Sequence, residues 1–527
     1  MVTMNNPQPP SVSARTRFYL YLACLSLIAV GLGFAATARY GPGLASDSVI
    51  YLSVAQNLLA GKGLTMFLGT PLLSWPPLFS IVLAGLSALT RQDVFVVGWV
   101  LNVLLSGVNV FLSGFVFWRA FQARPVYAWL ASAFVCLSLS SLRVHATTFT
   151  EPLYITMTLG FLIGLEAYGR TRARSAFVGL VVLSALAPML RYVGLAFPAV
   201  AGLVVVIVNW RDLRAMLRDG LVLGGVASLP IGWWLILRNV LTYGSLFGTS
   251  GQTVDVWQNT SLGLTKIMHW FVPYLDPLMP VLTRPLIVLP LLVVLLVGIN
   301  LRQRTALQAW WGQMRSPWVY PAMLYGLVYF LAVAVTSVTS DHRWLNDDDR
   351  YYVILLVPVL LLLFITFEEL VRPHLPFAPR TVTLALVAGS LLWSLYPLYG
   401  LREYLVEARQ VGEPSTYNLF NTRTYHEMPV MQELQSLWAS EPAATVYTNY
   451  AELAWFFNRK PAQPLPVRDF PDYQAVYSAW PAVPGYLVWF KPNEYKRFLS
   501  PEELAPHVTL QLIYSDESGD IYKVQAR

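Results

Sequence analysis

Two acidic residues of this chain stand where an acid can do chemistry: Asp47 in Gly41-Pro-Gly-Leu-Ala-Ser-Asp47-Ser48, and Glu151 in Thr150-Glu151-Pro152. Each sits at the start of a helical pattern, and a helix N-terminus favours the ionised carboxylate. A carboxylate there can take a proton from an attacking hydroxyl, orient that hydroxyl, or ligate a metal ion. Plainer roles fit as well. Asp47 can cap its helix or sit in the first turn, and Glu151 can cap a helix whose first position is Pro152. Cations accompany the acids. Arg191, in Pro188-Met-Leu-Arg191-Tyr192, lies between two apolar segments with almost no loop; Arg350 opens another as Asp347-Asp-Asp-Arg350-Tyr351-Tyr352; Arg238-Asn239 closes a third. A guanidinium is planar and permanently charged, which suits phosphate. At the edge of an apolar segment it either snorkels to headgroups or meets an anion. His145 and His342 read as surface residues rather than ligands. The aspartates 347–349 read as a solvated acidic loop, with a divalent ion as the alternative. Cys24 and Cys136 lie inside apolar runs and read as packing residues, with no disulfide framework or zinc site.

The elements that must position these residues are set by composition. Of 527 residues, 56% are hydrophobic and 12% charged, against about 25% charged in an ordinary soluble domain. Mean hydropathy is +0.51, and uncharged runs of about 18 residues or more recur through the first four hundred positions. This pattern predicts a mostly α polytopic membrane protein and excludes a cytosolic enzyme, a nucleic-acid-binding module and a disordered chain. The net charge of +7 and pI of 9.2 come mostly from arginines in short loops. About eleven spans are expected, near 18–37, 94–118, 126–142, 153–169, 174–190, 192–210, 220–238, 283–300, 318–338, 351–369 and 380–399. With the N-terminus cytoplasmic, every inside loop carries at least two basic residues, as the positive-inside rule requires. That count holds only if 76–90, entered through Trp75-Pro-Pro77, is re-entrant or interfacial.

The outside face then holds a long first loop, 38–93, a short one at 143–151, an aromatic loop at 240–282 with Trp257, Trp270 and Tyr274, and the acidic stretch Asp341–Arg350. In the first loop, Ile50, Val54 and Leu58 against Ser53, Gln56 and Asn57 predict an amphipathic helix on the membrane, stopped by Gly61 and Gly63. After about 400 the charges return. Residues 401–527 read as a small extracytoplasmic α/β domain, with helices at 429–440 and 450–458, strands at 444–447 and 486–489, and a hairpin over 509–524. The chain thus divides into a disordered cytoplasmic tail (1–17), a transmembrane catalytic domain (18–400) and this terminal domain. Arginines at a membrane surface beside apolar grooves suggest a lipid phosphate as the anion.

At these residues the sequence resembles the glycosyltransferase-C superfamily of integral-membrane enzymes. The similar branch is that of bacterial protein mannosyltransferases, the aminoarabinose transferase of lipid A and related polyprenyl-phosphate-sugar-dependent transferases. The likeness runs over roughly 18–370 through Asp47, Tyr51, Ala55, Gly61-x-Gly63, Trp75-Pro-Pro77, Thr150-Glu151-Pro152, Arg191, Arg238-Asn239, Tyr243-Gly244 and Arg350-Tyr351. The terminal piece looks like the soluble tail of such proteins, through Tyr447-Thr448-Asn449 and Asn458-Arg-Lys-Pro461. The resemblance implies transfer of a sugar from a polyprenyl phosphate to an acceptor hydroxyl, on a glycan, lipid or protein, at the extracytoplasmic face of a bacterial inner membrane, with inversion. It implies Asp47 as base, with Glu151 orienting the acceptor. It also implies Arg191, Arg350, Tyr351 and Arg238 on the donor phosphate, and Tyr51, Trp257, Trp270 and Tyr274 along the donor or acceptor loops. A single acid at 47, and Glu151 without a neighbouring aspartate, leave a divalent metal optional. The competing classes are a multi-span transporter or flippase of envelope precursors and a non-catalytic envelope-assembly protein. Charges gathered at the mouth rather than mid-span favour surface chemistry over transport.

Overall fold

The computed structural model describes residues 12–246, 256–271, 298, 304–339, 349–412, 420–467, 480–491 and 498–526. The chain forms two compact units: one comprises Met1–Ala38, Leu73–Phe79 and Trp99–Val406, the other Arg39–Leu72, Ser80–Gly98 and Glu407–Arg527.

The helices in chain order begin with α1 (Val12–Ala36), α2 (Ser46–Leu59), α3 (Leu78–Thr90), α4 (Val94–Ala120) and α5 (Pro125–Leu137). Then come α6 (Leu139–Ala146), α7 (Glu151–Thr171), α8 (Arg174–Leu190), α9 (Ala196–Asn209) and α10 (Leu213–Gly232). Among the described residues six helices are long and apolar enough to cross a membrane: Val12–Ala36, Val94–Ala120, Tyr192–Asn209, Leu213–Tyr243, Val353–His374 and Pro379–Val411. The chain is a multi-pass membrane protein. The expected span 283–300 lies almost wholly outside the described residues. At 126–142 the structure shows α5 and α6 bent by 47°. Ser138 makes the break, in extended backbone with its Oγ accepting the Ser141 N–H at 3.3 Å. α1 begins at Val12, so residues 12–17 are helical and not part of a disordered tail. The segment 78–90 forms a helix of 13 residues, about 20 Å long.

Several arginines expected in the inside loops hold buried acids. Glu368 pairs with Arg372 and, at 2.6 Å, with Arg124; Asp219 pairs with Arg218 at 2.7 Å and accepts the Tyr168 hydroxyl at 2.7 Å; Glu166 pairs with Arg170 at 3.0 Å. The acids are buried while Arg124, Arg170 and Arg218 stay largely exposed, so among these pairs only Glu368–Arg372 is largely buried on both sides. The basic loops therefore help to hold the bundle as well as carrying positive charge.

The second unit is built on a five-stranded sheet of order β2-β1-β3-β5-β4. Its strands are β1 (Val446–Thr448), β2 (Gln463–Pro464), β3 (Gly485–Phe490), β4 (Val508–Ser515) and β5 (Gly519–Ala526). β1 runs parallel to β2 and β3, while β3–β5 and β4–β5 are antiparallel. Helices Pro429–Ser440 and Ala451–Asn458 supply Met431, Leu434, Trp438, Leu453 and Trp455 to its core, which Val49 of α2 also joins. Phe420 N–H donates to the Leu44 carbonyl at 2.8 Å, and Asn421 Nδ2 donates to the carbonyls of Tyr40 and Pro42. Residues 48–55 of α2 are all buried. In the helix expected on the membrane surface, Ser53 of the polar stripe is buried as well as Ile50 and Val54, and Val49 joins the core of this unit.

Candidate active site

The helix pair α6–α7 is joined by the wholly buried connector 147–150. Thr150 holds the N-cap position of α7, and Glu151 and Pro152 are its first residues, so Glu151 is not itself the cap. Glu151 is fully buried. Its Oε1 pairs directly with the Arg191 guanidinium and lies 3.8 Å from Arg350 Nε. Arg191 also donates to Thr150 Oγ1 at 2.8 Å, and that hydroxyl donates to Glu151 Oε2 at 3.2 Å. Aromatic faces complete the cluster. Arg350 lies 4.4 Å from the Phe149 ring centre and 4.7 Å from that of Tyr351, and Arg191 lies 5.3 Å from Tyr351. Arg350 donates to the Tyr351 hydroxyl at 2.7 Å, while the Tyr351 carbonyl accepts from Tyr329 at 2.8 Å.

The turn that delivers Arg191 is as tight as the sequence suggested. α8 carries Pro188 in its last turn, and Arg191 leaves it in extended backbone. The Gly194 N–H closes on the Arg191 carbonyl at 2.7 Å. A Cβ at Gly194 would stand 2.3 Å from the Ala187 carbonyl group, so only glycine lets the next helix start so close to the last.

Next to Arg191 a second network gathers residues from the sequence motifs. The Tyr192 hydroxyl donates to the Leu73 carbonyl at 3.2 Å, just before Trp75-Pro-Pro77, and accepts from Trp234 Nε1 at 3.1 Å. The fully buried Asn239 donates to the Leu73 and Leu246 carbonyls at 3.2 and 2.9 Å, and its Oδ1 accepts from Arg238 at 2.8 Å. Arg238 stacks on Trp234 at 4.2 Å and Tyr243 at 5.3 Å. Trp233–Val240 is wound as a π-helix, a form often found at functional sites.

Asp47 and Tyr51 belong to the other unit. Asp47 is partly buried in the first turn of α2, whose N-cap is Ala45; the Ala45 N–H donates to Ser48 Oγ at 3.2 Å, so Asp47 does not do the capping. Tyr51 is buried. Trp257 falls in the helix Val256–His269, its side chain outside the described residues, and Tyr274, His342 and Asp347 and Asp348 also lie outside them. Trp270 is buried, edge-on to Phe271, rather than presented as a free stacking face. His145, expected at the surface, is buried between the Ser141 carbonyl at 2.7 Å and Asn109 at 3.0 Å.

Sequence reasoning missed Phe149, Tyr192 and Tyr329, which have no distinguishing pattern, and Asn102 and Asn109. Those two did carry a signal, being amides in an apolar helix. The Glu151 cluster does not offer the oxygen-rich shell a hard divalent cation takes, because its carboxylate is engaged by two guanidiniums.

No known family model matches the sequence, and no curated protein does. Solved structures do. The arabinofuranosyltransferase AftD from Mycobacteria superposes with a TM-score of 0.53 at 15% identity, over 96% of this chain and 40% of that one. The chain carries the glycosyltransferase-C fold. ArnT from Cupriavidus metallidurans, bound to undecaprenyl phosphate, gives 0.48 at 14% identity over 97% of this chain and 98% of that one. The oligosaccharyltransferase of Archaeoglobus fulgidus, in complex with Zn and sulfate, gives 0.49 at 12% over 95% and 73%.

Proposed function

We propose that this chain is a membrane glycosyltransferase that moves a sugar from a polyprenyl-phosphate donor to an acceptor hydroxyl at the extracytoplasmic face. The observation that carries the reading is the buried Glu151 holding Arg191 and Arg350 together over the rings of Phe149 and Tyr351. Two stacked guanidiniums fixed side by side make a receptor for a phosphate ester. The glycosyltransferase-C fold, shared with a protein named as an arabinofuranosyltransferase, supports the same class of reaction.

In this mechanism the acceptor oxygen attacks the anomeric carbon as its proton passes to the Asp47 carboxylate, and the bond from that carbon to the phosphate oxygen breaks. The leaving group is already a phosphate. It needs cations to match its developing charge more than an acid to protonate it, unlike the leaving oxygen in glycoside hydrolysis. Arg191 and Arg350 supply those cations, with Tyr351 beside them, and Arg238 is proposed to add a further positive charge to the donor phosphate. Glu151, engaged by both guanidiniums, aligns them and is not the proton acceptor. In-line attack gives inversion. Tyr51 lies one helical turn beyond Asp47.

The test is incubation of purified protein in detergent with a panel of polyprenyl-phosphate sugars and membrane extract, reading release of the lipid phosphate. Wild-type protein is expected to release it, and Asp47→Asn to be slower by at least roughly a hundredfold, the low end for removal of a general base. Undiminished release by that variant would take the base role away from Asp47.

A further inference from the structure

Helix α4 is apolar, yet it carries Asn102 and Asn109, seven residues and hence two turns apart on one face. Both are buried. An amide inside an apolar bundle is costly unless its hydrogen bonds are made, and these are made to one short stretch of backbone. Asn102 Nδ2 donates to the carbonyls of Thr147 at 2.8 Å and Phe149 at 2.9 Å. Asn109 Nδ2 donates to the Pro152 carbonyl at 2.9 Å and lies 3.0 Å from His145 Nε2, while its Oδ1 accepts from Thr156 at 2.7 Å. His145 Nδ1 faces the Ser141 carbonyl, which places its proton there and leaves Nε2 to accept from Asn109.

A buried connector must find partners for its carbonyls. The two asparagines provide them at 147, 149 and 152; the Thr147 carbonyl also accepts the Phe149 N–H at 2.9 Å and the Pro152 carbonyl the Thr156 hydroxyl at 3.0 Å, so the Phe149 carbonyl depends most on its asparagine. The same connector supplies the Phe149 ring to Arg350, the Thr150 hydroxyl to Arg191 and the Glu151 carboxylate to both. Asn102 Oδ1 is buried with no hydrogen-bond partner among the described residues. A leucine would relieve that cost, so the amide hydrogens are what the position uses.

We propose that Asn102 and Asn109 are positioning residues that fix the 147–152 backbone and, through it, the geometry of the Arg191–Glu151–Arg350 cluster. Their role in turnover rests on the reading of that cluster as the donor-phosphate site, whereas the clamp itself does not.

The experiment uses the full chain purified in detergent, with Asn102→Leu and Asn109→Leu, and the isosteric Asn102→Asp in case the leucine variants fold poorly. Arginine-selective labelling with phenylglyoxal, mapped peptide by peptide, reads the clamp. Arg191 and Arg350 are expected to react about tenfold faster in the variants, as follows when buried carbonyls lose their partners. Arg124 and Arg372, held by Glu368, should not change. Unchanged labelling at Arg191 and Arg350 would overturn the proposal, and so would an equal rise at all four arginines, which marks general loosening. Kinetics give the second reading: about a tenfold rise in donor KM with acceptor KM unmoved. A fall in maximal rate with both KM values unmoved would be loss of folded protein and would count against positioning. If wild-type protein transfers no sugar, the functional reading fails, and the labelling still decides the clamp.

Discussion

Charge that is paired, stacked and nearly dry behaves differently from charge on a surface, and the Glu151 cluster is of the first kind. Glu151→Gln removes the carboxylate that two guanidiniums share. The cost expected from breaking a buried pair is about 3–5 kcal/mol, read as a lowered thermal midpoint together with a raised donor KM. An unchanged midpoint would mean that the pairing contributes nothing to the fold. Arg350→Lys keeps the charge but loses the flat face that rests on Phe149 and Tyr351. Donor KM is expected to rise roughly tenfold, because a point charge cannot replace a stacked, forked donor. An unchanged donor KM in Arg350→Lys would remove Arg350 from the phosphate site. The arginines were legible in sequence because a charge at the edge of an apolar run needs a reason. Phe149 was not, since one more aromatic residue in an apolar chain is unremarked until its ring is seen beneath Arg350.

At the scale of elements, close approaches decide. Gly194→Ala would drive a methyl group into the Ala187 carbonyl and push the start of the next helix away from α8. The expected result is a loss of donor affinity at Arg191 along with a lower midpoint; retention of both would show that the turn can relax. Gly263, in the helix Val256–His269, lies against the Tyr352 ring, where an added Cβ would come within 2.3 Å of its hydroxyl oxygen. Gly263→Ala should slacken that helix, seen as faster tryptic cleavage after Lys266; unaltered cleavage would deny the contact any holding role. The β4–β5 hairpin could be read from alternation, β3 from its short apolar run, and the helices 429–440 and 451–458 from their apolar spacing. β2, two residues long, has no pattern to read. The burial of α2 was hidden for a different reason. An amphipathic stretch shows that its apolar face will be covered but not by what, and Val49, outside the predicted stripe, joins the core cluster of Met431 and Trp455.

Across the whole molecule, stability is distributed between a bundle whose buried acids pair with arginines and a sheet unit with a partly buried acid of its own. Burial holds the Glu452 carboxyl above the ordinary glutamate value. A raised folded-state pKa gives stability that is present below the unfolded value and lost as pH rises through the folded one. Glu452→Gln should therefore melt higher than wild type near neutral pH, with the difference vanishing at about pH 4 and below, where both forms are neutral. An equal difference at both pH values would assign the effect to packing instead. The central claim, however, concerns the anion that the Arg191–Glu151–Arg350 cluster is built to receive. The direct measurement is titration of purified protein in detergent with a sugar-free polyprenyl phosphate, alongside the uncharged polyprenol of equal length. The account predicts saturable binding of the phosphate alone, weakened about tenfold or more in Arg191→Ala and in Arg350→Ala. Equal affinity in those variants, or full competition by the uncharged alcohol, would contradict it.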